Sequence, residues 1–171
     1  MTTFRGKPAC ECLAEWLDVY EQELLDRKVI KQCIDVYQLI GGAAASGGTH
    51  ATGGAFDIAQ TDRTAIWVAR QMGADATWSR TRAQGFTPHT HGVLTGCPHN
   101  GPARYQIDKV RAGLNGLASN GQDNGPRPLS YRTWQEGIAW AKKNQRKRGL
   151  TRRIKHVRER LATLRTRRNK L

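Results

Sequence analysis

Between Lys142 and Leu171 the chain carries fourteen Lys and Arg and a single acid, Glu159. So many cations cannot be buried together, because each unpaired charge taken out of water costs several kcal/mol. The preceding 141 residues hold fourteen basic and thirteen acidic side chains, so the overall net charge of +14 belongs to the tail. A nearly neutral stretch of that length suits one hydrophobic core, domains commonly running to about 100–150 residues. We therefore expect one folded domain over residues 1–141 and a basic appendage over 142–171.

The appendage has a pattern. Leu150, Ile154, Val157, Leu161 and Leu164 recur at alternating steps of four and three, with Arg and Lys on the other faces. That spacing predicts a basic amphipathic helix. Such a helix packs its stripe on its own domain or on a second copy, or meets an anionic wall polymer, a membrane surface or the phosphates of nucleic acid.

No apolar run approaches the roughly 18–20 residues that cross a bilayer. Glu11, Glu15, Asp18, Glu21, Glu23 and Asp26 punctuate the first thirty residues. This is unlike the basic start and apolar stretch of a secretory leader, and the expectation is synthesis in the cytosol without one.

Leu13, Trp16, Leu17, Tyr20, Leu24 and Leu25 fall at helical spacing within residues 8–27. Residues 34–40 alternate and read as a strand, whereas 41–54 are too small and glycine-rich for a core element and read as a loop. Residues 55–59 read as a strand, and Thr61 or Asp62 caps a helix running to Met72, where Gly73 stops it. Strands follow at 77–80 and 90–94, then a helix over 105–117, a linker over 118–129 and a helix over 131–143. The order predicts an α+β domain, a small antiparallel sheet flanked by helices, followed by the basic C-terminal helix. Trp67, Trp78, Trp134 and Trp140 are assigned to its core.

Four cysteines, at 10, 12, 33 and 97, make no CxxC pair. They therefore read as reduced, mostly buried thiols rather than as a disulfide scaffold or a zinc ribbon. Cys97 lies two residues from His99 and is an extra metal contact to watch; His99 is expected to be structural or a hydrogen-bonding neighbour of a site.

The chemistry concentrates in two stretches, residues 47–57 (GGTHATGGAFD) and residues 87–99 (TPHTHGVLTGCPH). Imidazole and carboxylate are good zinc donors, and a catalytic zinc takes three protein ligands while leaving a position for water. His50 on the loop, Asp57 on the strand it feeds and His91 on a neighbouring strand would supply such a set. His89 shares the strand parity of His91, so one ring can bind metal while the other stands over the open position. No Gly-Lys-Ser/Thr follows the glycine-rich stretch, which argues against a phosphate loop, and no Gly-x-Ser-x-Gly elbow supports a serine hydrolase.

His50 with Gly53, Ala55 and Asp57 behind it, followed by the later His89-x-His91, resembles the zinc peptidases that include D-Ala-D-Ala peptidases, murein endopeptidases and the hedgehog signalling domain. The stretch 87–99, together with residues 125–128 (GPRP) and 132–140 (RTWQEGIAW), is similar to small endolysins of phages infecting actinobacteria. The resemblance covers residues 35–140. It implies a hedgehog and D-Ala-D-Ala peptidase-like fold, Zn2+ held by His50, Asp57 and His91, His89 as the catalytic partner, and peptidoglycan as substrate. The protein would then act in the host cytoplasm and, after lysis, on the wall.

The chain departs from that pattern in two places. Gly48 stands where a serine is common, with Thr49 beside it, and His89 and Pro88 stand where an acidic general base is common. No glutamate occurs between Glu23 and Glu136, and the aspartates between residues 57 and 99 are Asp57, Asp62 and Asp75. His89 is therefore expected to move the proton, its ordinary pKa near neutrality suiting a base or an oxyanion donor. Arg80 is expected to hold a substrate carboxylate. The competing expectation is a nucleic-acid-binding or virion structural protein whose zinc site is structural or vestigial.

Overall fold

The computed structural model describes residues 1–41, 46–117 and 119–168, except for the side chains of residues 167 and 168. Helix α1 (Glu11–Asp26) forms on the predicted stripe, burying Leu13, Trp16, Leu17, Tyr20 and Leu24. It begins two to three residues later than expected, because Lys7–Ala9 form strand β2, paired antiparallel with β1 (Thr2–Phe4). Arg5 and Gly6 turn this hairpin at φ of 51° and 76°, the twist that a two-residue hairpin loop requires.

Trp16 donates its indole N–H to the Met72 carbonyl at 2.7 Å, and the Tyr20 hydroxyl donates to the Ala65 carbonyl at 3.0 Å. Both bonds dock α1 on α2 (Arg63–Gln71). The Asp62 side chain caps α2 by accepting from the Thr64 and Ala65 N–H groups, as expected.

The main sheet is four-stranded and antiparallel in the order β3 (Val36–Gln38), β4 (Ala55–Ile58), β6 (His89–Val93), β5 (Trp78–Arg80). Alternation divides its residues between two faces. Phe56 and Ile58 join the core beneath α1 and α2, and Phe56 stacks on Trp16 with ring centroids 5.1 Å apart. Ala55, Trp78 and Val93 on the other face pack with Ile107 and Val110 of α3 (Tyr105–Arg111). Asp57, His89, His91 and Arg80 share the parity of this second face. Gly92 is obligatory opposite Phe56, since a Cβ there would stand 2.2 Å from the ring.

Three expectations need correction. The helix predicted over 105–117 ends at Arg111, because Gly113 and Gly116 take φ of 86° and 66°. The linker is not merely a spacer, for Asp123 is buried and grips buried Arg70 through two bonds of 2.9 Å. The helix predicted over 131–143 and the basic tail are one element, α4 (Trp134–Arg168), running through residue 142 without interruption.

The first part of α4 packs on α1. Ile138 and Ala141 are buried, Gly137 presses on the Met72 carbonyl, and the Arg148 guanidinium forks around the fully buried Glu23 carboxylate. Beyond this clamp residues 150–166 are all exposed, the stripe of Leu150, Ile154, Val157, Leu161 and Leu164 included. The stripe does not pack on its own domain. Among the described residues no helix is long and apolar enough to cross a membrane.

Candidate metal centre

Register builds the centre. Asp57 lies directly opposite His91 in the β4–β6 pair, and the loop before β4 returns His50 to the same point. His91 Nδ1 is 2.8 Å from Asp57 Oδ1, His50 Nε2 is 3.3 Å from Asp57 Oδ2, and the two histidine nitrogens are 3.3 Å apart. Tetrahedral ligands at the usual zinc distances of about 2.0–2.1 Å are separated from one another by about 3.3 Å. Two of the three separations equal that edge, and the third, between His91 and Asp57, is drawn shorter to hydrogen-bond distance.

The outer hydrogen bonds decide which ring atoms carry protons. His50 Nδ1 lies 2.8 Å from the Leu39 carbonyl, an acceptor, so Nδ1 holds the hydrogen and Nε2 presents a lone pair. Gln106 donates its amide N–H to the Gly116 carbonyl at 3.5 Å and so turns Oε1 toward His91 Nε2, 2.8 Å away. His91 Nε2 must then donate, and its Nδ1 presents a lone pair. With both rings neutral, two imidazole lone pairs and a carboxylate thus face each other; a protonated ring donates to Asp57 across the same contacts. Such a convergence of acceptors is unfavourable until a cation enters, and the donor types are those zinc takes.

Burial would raise the Asp57 carboxyl, but its contacts with His50 and His91 outweigh this and hold it well below the usual carboxylate range. Burial pushes His91 down, against the opposing pull of Asp57. Both shifts favour the metal-binding forms, an ionised carboxylate and a neutral imidazole.

The centre opens into a cavity of about 490 Å³, also lined by Arg80, Phe86, His89, Tyr105 and Gln106. His89 donates Nδ1–H to the Thr87 carbonyl at 2.6 Å, leaving Nε2 directed inward, 3.6 Å from Asp57 Oδ1. Phe86 meets its ring edge-on at 5.9 Å. Arg80 is buried, with its guanidinium over the Trp78 and Phe86 rings, and the residue lines the same cavity. Asp57 is the one carboxylate among the described lining residues. A second depression of about 300 Å³, on the far side of Arg80 by Arg63 and Asn124, has no histidine, cysteine or acid in its lining.

Gln106 and the Leu39 carbonyl were not foreseen as partners of the centre. Nothing in the spacing links a helical glutamine or a main-chain oxygen to a distant histidine. Cys97 and His99 do not reach this centre; they gather with Cys10 and Cys12 in a separate group whose ligand atoms all lie within 4.8 Å of one another. A hydrogen bond from Cys97 lowers the Cys10 thiol to about 5, and the same sharing raises Cys97. Cys33 is exposed and apart.

No protein-family model, curated protein sequence or solved structure matches this chain.

Proposed function

We propose that the chain is a zinc-dependent peptidase. Within that class we read it as a peptidoglycan hydrolase of the phage endolysin type, with the hedgehog and D-Ala-D-Ala peptidase-like fold. The observation that carries this reading is the meeting of three acceptors, His50 Nε2, His91 Nδ1 and Asp57, at the floor of an open cavity. His50, Asp57 and His91 would hold a zinc ion there, and it would supply Lewis-acid activation of water and of the scissile carbonyl.

The surrounding side chains divide the remaining work. Arg80 presents a cation that suits a peptide carboxylate, the group in which wall stem peptides are rich. His89, anchored through Nδ1, offers Nε2 as the atom that takes up the proton of the attacking water and returns it to the leaving amine. Phe86 and Tyr37 hold its ring by edge contacts.

The purified chain should clear actinobacterial wall suspensions and release new amino termini from muropeptides. EDTA should abolish both effects and zinc restore them; clearing that persists in EDTA excludes the metal mechanism. The second reading, a nucleic-acid-binding or virion structural protein, draws on the exposed basic helix beyond Arg148. It requires salt-sensitive DNA binding without wall cleavage.

A further inference from the structure

Cys10 and Cys12 flank the first residue of α1, while Cys97 and His99 lie in the turn that follows β6. Cys10 Sγ and Cys97 Sγ are 3.8 Å apart, Cys97 Sγ is 3.7 Å from His99 Nδ1, and Cys12 Sγ is 3.8 Å from the same nitrogen. Zinc–sulfur bonds of about 2.3 Å set tetrahedral sulfurs about 3.8 Å from one another, and sulfur-to-nitrogen edges slightly shorter. The three distances match the edges of such a tetrahedron.

A disulfide explains the group less well. It needs sulfurs at about 2.05 Å, and it would use two thiols while leaving a third and an imidazole packed against it. The surroundings are shaped to the group. Gly53, at φ of 130°, has a backbone that side chains rarely adopt and little space beside it, since a Cβ would stand 3.1 Å from Cys10 Cβ and 3.2 Å from His99 Cβ. Gly54, at φ of 71°, closes over Cys97 Sγ, which a Cβ would meet at 3.2 Å.

We infer that Cys10, Cys12, Cys97 and His99 bind a second zinc ion, in a closed four-ligand site with a structural role. The thiol protons still held are released to solvent on binding, and a full protein ligand set leaves no place for substrate. The ion would fasten the start of α1 to the turn after β6. That turn follows the strand carrying His91, and Gly53 and Gly54 lead into the strand carrying Asp57. The site thus braces the foundations of the other centre without sharing a ligand with it.

The test uses the full chain, purified under reducing conditions, with metal content measured by mass spectrometry. About two zinc ions per chain are expected, falling to about one in Cys97→Ser and to about one, by loss of the other ion, in His50→Ala. Cobalt substitution should give a sulfur-to-metal charge-transfer band that survives His50→Ala and Cys33→Ser but disappears in Cys97→Ser. A wild-type cobalt spectrum lacking this band overturns the assignment. Should Cys97→Ser fail to fold, alkylation of the wild type decides. Zinc should protect Cys10, Cys12 and Cys97 while Cys33 reacts, and equal labelling with and without zinc sinks the site. Because sulfur reports only on this group, a failed wall-lysis assay would leave the outcome readable.

Discussion

His91 donates its Nε2–H to Gln106 Oε1 across 2.8 Å, and this one bond determines which nitrogen of His91 faces Asp57. Gln106 is buried on α3, outside both sequence stretches that supply the candidate ligands. Gln106→Ala removes the acceptor, letting the imidazole rotate or adopt the other tautomer. Losses of outer partners of this kind weaken metal binding by about 10- to 100-fold. Zinc competition against a chromophoric chelator should show that loss, and Gln106→Glu, which still accepts, should bind at least as tightly as the wild type.

His89 lines the cavity without being among the three converging acceptors, so its removal should separate chemistry from metal binding. For His89→Ala we expect zinc content unchanged and kcat on a defined muropeptide reduced by about 10²- to 10⁴-fold, the usual contribution of a positioned acid–base group. Unaltered kcat in a zinc-loaded His89→Ala protein would remove His89 from the proton path.

Asp75 is fully buried with Oδ2 held by Arg111 at 2.8 Å, while Oδ1 finds no partner and Thr95 Oγ1 nearby finds none either. Burial raises its pKa above the ordinary 3.8, despite the opposing hydrogen bond from Arg111. A carboxyl raised on folding contributes stability below its unfolded pKa, and that contribution is lost as pH rises through the folded value. Asp75→Asn keeps an acceptor for Arg111 and offers a donor to Thr95 without the buried charge. At pH 7 we expect it to stabilise the protein by about 1 kcal/mol, the scale of one unsatisfied buried polar group. The gain should shrink as pH falls toward 4; urea denaturation at both pH values checks it, and a destabilised variant at pH 7 refutes it.

The candidate ligands were legible because chemistry and local structure coincide in sequence. His50, Asp57 and His91 are metal-binding types placed on a loop and on strands, and strand parity alone puts His89 beside His91. The same parity places Arg80 on the site face, though only the fold shows that Phe86 and Trp78 sandwich it. The sulfur group was not legible, since two residues at the start of α1 and two after β6 have no shared spacing until α1 docks against the sheet. The first hairpin escaped because three-residue strands are too short to show alternation. The continuity of α4 escaped because its buried face, Ile138 and Ala141, is not the face that carries the exposed stripe.

That exposed stripe leads to the last prediction. Residues 150, 154, 157, 161 and 164 have the spacing of a coiled-coil seam, which would make a second copy the natural cover. Arg153, Arg158, Arg160 and Arg165 flank the seam, however, and in a paired helix they would bring like charges together. A polyanionic surface satisfies both features, drawing the cations while the stripe settles against apolar material. We expect the chain to sediment as a monomer and to be retained on purified wall or anionic vesicles at low salt. Retention should fall steeply as the screening length drops to about 8 Å at 0.15 M. Replacing Arg152, Arg153, Lys155 and Arg158 with Gln should release the protein from those surfaces while leaving kcat on a soluble muropeptide unchanged, because these exposed residues lie beyond the Arg148 clamp. If the quadruple variant is retained as well as the wild type, electrostatic docking by this helix is excluded.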